Sequence, residues 1–232
     1  MFVADNAPDP YGIGIAASFA TAAKRLGLDI VGTGSWPALV GGTQSTANLP
    51  AVSAFVRRIA RTHPDGIFLA GFQGDPDVAP LIQGLRAAIP GVRLIGPDGF
   101  AAFPDLVREV GPAVEGMLVS QPEIAPSLLR GPGAQFVAQF GKQIGGTFYP
   151  STAYGAEAAD VLLDAIGRSN GTRASVTRAL FDTRVRNGIT GSFAFTSSGD
   201  TTAGSVTIIR IEHGQPIPVR AITPSVSLPG GG

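Results

Sequence analysis

The chain has 232 residues, of which 44% are hydrophobic and 15% charged, enough apolar content to build a packed core and too much for a disordered segment. Its 17 basic residues balance 17 acidic ones, so no net charge draws it to nucleic acid or to an acidic membrane face. The absence of cysteine excludes disulfides, thiolate nucleophiles and cysteine-ligated zinc.

The first half alternates strand and helix patterns. Met1 to Asp5 reads as a short apolar strand, followed by the turn residues Asn6 to Pro10. A helix starts near Tyr11, carries Ile15, Phe19, Ala22, Ala23 and Leu26 on one stripe, and ends at Gly27. Ile30 and Val31 begin a second strand, and a polar loop runs from there through Trp36 to Asn48. Pro50 opens a helix with Val52, Phe55, Val56 and Ile59 inward, leaving Arg57, Arg58 and Arg61 as its solvated face. Gly66 to Gly71 is an unbroken apolar run, as in a strand covered on both faces. A helix over 76–89, a strand over 92–95, the loop Gly96-Pro97-Asp98-Gly99, a short helix over 104–110 and a strand over 117–120 complete the series. Such alternation predicts a doubly wound parallel sheet with helices on both faces, accounting for residues 1 to 121 as one α/β lobe.

From residue 122 the pattern changes. Helices are expected over 132–144, 151–168 and from the N-cap Thr172 to Phe181, with no strand between them. Tyr154, Ala158, Val161, Leu162, Ala165 and Ile166 mark one side of the middle helix, which needs a sheet to cover. Strands follow at 192–195 and 206–211, and a Pro/Gly-rich tail over 216–232 reads as a linker or frayed end. No apolar run approaches the roughly 20 residues that cross a bilayer. Met1 to Asp5 has no basic segment leading into an apolar stretch, so a signal peptide of an exported parent is expected upstream.

Enzyme motifs are scarce. Gly12-Ile13-Gly14-Ile15-Ala16-Ala17 matches a dinucleotide fingerprint in letters, but two prolines separate it from its strand and Asp29 precedes the strand that a ribose ligand should follow. Close packing of the helix on the sheet is the better reading. The two histidines, His63 and His213, sit at a helix C-terminus and beside a turn glycine, and both are expected at the surface. No nucleophile elbow, zincin helix or phosphate-binding loop is present, and the carboxylates are scattered. The expectation is a protein without catalytic residues, metal or cofactor.

In a doubly wound sheet, ligands lie outside the carboxyl ends of the strands. Three strand-end loops stand out there: Asp9-Pro10-Tyr11-Gly12, Gly71-Phe72-Gln73-Gly74-Asp75 and Gly96-Pro97-Asp98-Gly99. They put the phenol of Tyr11, the ring of Phe72 and the carboxylate of Asp98 along one rim, where a carboxylate suits a ligand ammonium. Taken singly, Asp98 is equally ordinary in a Pro-Asp-Gly turn and Phe72 equally ordinary as core. Their shared location favours a binding site.

These stretches, with Pro64-Asp65-Gly66-Ile67-Phe68, Glu115-Gly116-Met117-Leu118-Val119, Ala153-Tyr154-Gly155-Ala156, Gly188-Ile189-Thr190-Gly191 and Gly199-Asp200, resemble in their order the leucine/isoleucine/valine-binding proteins of ABC importers, which are type I periplasmic binding proteins. The resemblance implies two α/β lobes with a ligand closed between them. Residues 1–121 would form the family's second lobe, 122–188 would return to the first, and 189–215 would cross back, with the family's opening segment lying outside this chain. It further implies that Tyr11 and Phe72 line the ligand cleft and that Asp98 holds the ligand's α-ammonium, while Phe72 replaces a frequent tyrosine and so lacks a phenol. The implied role is capture of a branched-chain or related amino acid outside the cytoplasm for an ABC permease. A ligand-sensing module of a regulator or receptor is the alternative.

Overall fold

The computed structural model describes residues 1–36, 48–145 and 148–223. In chain order the elements are β1 (Phe2–Asp5), α1 (Pro10–Arg25), β2 (Gly32–Ser35), α2 (Leu49–Ala60), β3 (Gly66–Ala70), α3 (Val78–Ala88), β4 (Arg93–Gly96), α4 (Phe103–Val110) and β5 (Leu118–Gln121), then α5 (Pro132–Ile144), α6 (Pro150–Arg168), α7 (Arg173–Phe181), β6 (Arg184–Gly188), β7 (Gly191–Ala194), β8 (Val206–Glu212) and β9 (Gln215–Ile222). The sheet order is β2-β1-β3-β4-β5-β8-β9, with β2 to β5 joined in parallel through β1, β3 and β4. The sheet is doubly wound and mostly parallel, as the strand-helix alternation predicts. Residue packing divides the chain into a first unit, Met1–Gln121 with Ile209–Ile217, and a second, Pro122–Ile208 with the chain from Pro218.

The core of the first unit follows from strand alternation. Phe2 and Ala4 of β1, with Ile67 and Leu69 of β3, point to one face, where Val52, Phe55, Val56 and Ile59 of α2 and Leu81, Ile82 and Leu85 of α3 cover them. Val3, Phe68 and Ala70 point to the other face and meet Ala16 and Phe19 of α1. The Phe19 and Phe68 rings stack with centroids 4.0 Å apart. Asp9 caps α1, its carboxylate accepting from the Tyr11 and Gly12 N–H groups at 2.9 and 3.3 Å. A Cβ on Gly12 would collide with the Asn6 amide and lie 2.7 Å from the Ala70 carbonyl oxygen, so this glycine serves close helix-on-sheet packing.

Three elements differ from the sequence reading. The second strand lies at Gly32–Ser35 rather than at Ile30–Val31. Pairing with β1 sets it there, and a side chain at position 32 would fall 2.7 Å from the Phe2 ring, so the strand is glycine-rich because its neighbour is large. The expected loop from Trp36 to Asn48 lies, over 37–47, outside the described residues. Beyond the helix expected to end at Phe181, Arg184–Gly188 forms a strand that the sequence reading did not include, β6, which pairs antiparallel with β7 across the two-residue turn Ile189-Thr190. The supposed tail over 216–232 begins with strand: β9 runs to Ile222 and is last in the sheet order, where Pro216 and Pro218 need no partner for a missing N–H. The Glu115 carboxylate accepts from the N–H groups of His213 and Gly214 at 2.8 and 3.3 Å and so fixes the β8–β9 turn.

In the second unit the buried residues of α6 are Ala153, Glu157, Val161 and Ala165, one stripe at four-residue spacing. Leu162 and Ile166, on the stripe expected to need a sheet from elsewhere to cover it, are exposed. Thr172 caps α7 by accepting from the Ser175 N–H. Arg168 ties the two helices, donating to Asp164 within α6 and to the Thr183 hydroxyl just past α7. Residues 189–208 group with this unit rather than with the first, because the β6–β7 turn is held by α6: the Glu157 carboxylate accepts from the Thr190 N–H at 2.7 Å.

Candidate functional site

Walking the sheet from β1, the chain turns first to β2 on one side and then to β3 on the other. The connections therefore diverge at the carboxyl ends of β1 and β3 and leave a crevice there. Tyr11 stands in the first turn of α1, which follows β1. Phe72 follows β3 directly, and Asp98 opens the short 3-10 turn Asp98–Phe100 after β4.

The structure brings these three residues together. The Tyr11 hydroxyl donates to Asp98 Oδ1 at 2.6 Å and accepts the Gly99 N–H at 3.2 Å. Its ring stacks on Phe72, with centroids 4.6 Å apart and planes inclined by 25°. The loops that carry Phe72 and Asp98 are themselves joined, the Gln73 N–H donating to the Gly99 carbonyl at 3.0 Å. Gly99 admits no side chain, because a Cβ would collide with the Gly71 carbonyl oxygen. Burial, and then the carboxylate acceptor beside it, push the Tyr11 phenol above its ordinary range, so it stays a protonated donor.

Asp98 is exposed, and its second oxygen, Oδ2, has no donor among the described residues. No Lys or Arg pairs with it there. Phe72 is 37% exposed beside it. The arrangement offers an uncompensated carboxylate, fixed in direction by a phenol, next to an aromatic face. Chemically this suits a positively charged organic group carrying N–H donors.

Beneath the rim lies a polar layer that the sequence reading did not single out. Asn6, 2% exposed, donates its side-chain N–H to Asp75 Oδ2 at 2.9 Å. Burial raises the Asp75 carboxyl, the Asn6 amide lowers it, and the charges of Asp9 and Asp77 raise it further. The Trp36 ring packs where a Cβ of Gly71 would be. The one signal in the sequence was an asparagine directly after a buried strand, a common turn residue and therefore a weak one. His63 and His213 are exposed, as are Arg57, Arg58 and Arg61. No cluster of residues able to hold a metal ion occurs among the described residues.

Comparison with known proteins identifies the family. The model of the family described as periplasmic binding protein matches residues 1–216. The chain belongs to the periplasmic binding protein family. Among solved structures, a leucine-binding protein of Thermotoga maritima is 25% identical with a TM-score of 0.75, the match covering 96% of this chain and 60% of that one. An ABC transporter substrate-binding protein of Desulfitobacterium hafniense in complex with leucine is 21% identical, with a TM-score of 0.74 over 94% of this chain and 59% of that one. A branched-chain amino acid ABC transporter protein of Thermus thermophilus with bound valine is 20% identical, with a TM-score of 0.68 over 97% and 60%. This periplasmic binding protein chain thus spans about 60% of the length of these relatives. No curated protein sequence matches it. No helix among the described residues is long and apolar enough to cross a membrane.

Proposed function

We propose that the chain is part of an extracytoplasmic solute receptor that captures an amino acid, branched-chain or closely related, and delivers it to an ABC permease without altering it chemically. The observation that carries the reading is the Tyr11–Asp98 hydrogen bond at the strand-end crevice, which leaves Asp98 Oδ2 open beside the Phe72 ring. In this reading Asp98 meets the ligand's α-ammonium. Inside a closed cleft an unpaired charge is costly, so the carboxylate converts an ammonium from a penalty into an anchor. Tyr11 aims that carboxylate rather than touching the ammonium itself, because its hydroxyl is engaged on both sides. Phe72 supplies apolar contact for a branched side chain and, lacking a hydroxyl, asks for no polar partner. The family membership and the likeness to a leucine-binding protein support the class of ligand.

The test compares leucine with 4-methylpentanoate, which keeps the side chain and carboxylate and lacks the ammonium. Titration calorimetry on the native gene product should give heat of binding with leucine or a related amino acid and none with the deaminated analogue. Equal affinity for both would refute the ammonium-anchored reading.

A further inference from the structure

The second unit holds a cavity of its own, of about 230 Å³, between α6 and the segment from β7 to β8. Its walls are mainly apolar and aromatic: Ile124, Tyr154, Val161, Phe193 and Phe195. The two phenylalanine rings meet edge to face at 5.9 Å. One acidic residue lines it, Glu157, which is only 6% exposed. Glu157 Oε2 accepts the Thr190 N–H at 2.7 Å and its hydroxyl at 3.4 Å. Oε1 has no donor among the described residues, and no Lys or Arg lines the cavity.

A buried glutamate in the middle of an apolar stripe is an expensive way to hold one turn, since a neutral acceptor would satisfy the Thr190 N–H as well. Aromatic faces and an unmatched carboxylate within one small cavity are complementary to an organic cation, which gains from the ring quadrupoles and from the charge together. The volume lies just under the roughly 300–1,000 Å³ of pockets for drug-sized ligands, which restricts the guest to a small one. We infer that this cavity is a second ligand site, separate from Asp98, which takes a small primary amine with an aromatic or branched apolar body, its ammonium on Glu157 Oε1 and its body against Phe193, Phe195 and Tyr154.

The probe is protonated phenethylamine, with phenethyl alcohol as its uncharged counterpart, titrated by NMR or calorimetry at neutral pH into the native gene product. Glu157→Gln keeps an acceptor for the Thr190 N–H and removes the charge. Val161→Phe fills the cavity and leaves Glu157 in place. Circular dichroism confirms that each variant is folded. Saturable phenethylamine binding that is at least tenfold tighter than that of the alcohol, weakened at least tenfold by Glu157→Gln, lost in Val161→Phe and unchanged in Asp98→Asn is the expected result. Absence of saturable binding, or binding that survives both second-unit variants, overturns the inference. Binding lost only in Asp98→Asn overturns it too, by assigning the amine to the first unit, and leaves the proposed receptor function standing.

Discussion

Tyr11→Phe removes one oxygen and nothing else: the ring can keep its 4.6 Å stack on Phe72 and the α1 cap is untouched. Two hydrogen bonds disappear with that oxygen. The bond to Asp98 is charge-assisted, in a class worth about 1.5–3 kcal/mol, but Asp98 is exposed and water replaces the lost donor, so about 1 kcal/mol is expected from it. The Gly99 N–H, half-buried between two loops, loses its acceptor at a cost of about 1 kcal/mol. The variant should therefore be less stable by about 2 kcal/mol near neutral pH, measured by urea unfolding with unchanged m-value. The pH dependence has a definite sign. The folded protein raises the Tyr11 phenol above its ordinary value, so this contribution is fully present below about 10 and is lost as pH rises beyond it, where the unfolded chain ionises and the folded one does not. The gap between wild type and variant should shrink above pH 10. A gap near zero at neutral pH, or one that stays constant through pH 11, would refute the argument that this hydroxyl organises the site.

Asp75→Asn should stabilise the protein at neutral pH, since the raised carboxyl favours the protonated form and the carbonyl of the new side-chain amide can still accept from Asn6; the gain should fade as pH falls below the ordinary aspartate range, which paired melts at pH 3 and pH 7 would reveal. Gly99→Ala should cost about 1–3 kcal/mol, because the new methyl meets the Gly71 carbonyl, and it should weaken amino-acid binding as well by moving Asp98; an unchanged unfolding midpoint counts against the tight loop crossing. Leu85→Ala, at a fully buried position of α3, should lose about 2–5 kcal/mol in the same assay while leaving affinity nearly unchanged, which separates core from site.

The first unit was largely legible in the sequence because its elements carry strong local marks. Asp9 with Pro10 announces α1, and five consecutive buried residues announce β3. Elements held mainly by neighbours were harder to see. Gly32-Thr33-Gly34-Ser35 has no apolar pattern and becomes a strand only because β1 offers it a ladder and Phe2 needs the room at Gly32. Arg184, Val185 and Arg186 form a strand on the strength of β7 opposite, and Pro216 and Pro218 are tolerated because β9 lies last in the sheet. On α6 the stripe through Leu162 and Ile166, which needs a sheet from outside this chain to cover it, is exposed, while Glu157, a residue that hydropathy puts outside, is buried.

For the candidate site, Tyr11, Phe72 and Asp98 were singled out through the strand-end rule, and the family resemblance gave each a role. The bond between Tyr11 and Asp98, 87 residues apart, was not legible. Neither was the Asn6–Asp75 pair below it, because nothing local distinguishes a buried asparagine from a turn asparagine.

The most direct test of the central claim is titration calorimetry of wild type and Asp98→Asn with a panel of amino acids, using the native gene product. The substitution keeps the turn and the volume and removes the charge. Leaving a bound ammonium unpaired should weaken the best amino-acid ligand by roughly 2–5 kcal/mol, with circular dichroism unchanged and stability lowered by no more than about 1 kcal/mol. If Asp98→Asn binds that ligand as tightly as wild type, the ammonium is not held at this carboxylate and the assignment of the site is wrong.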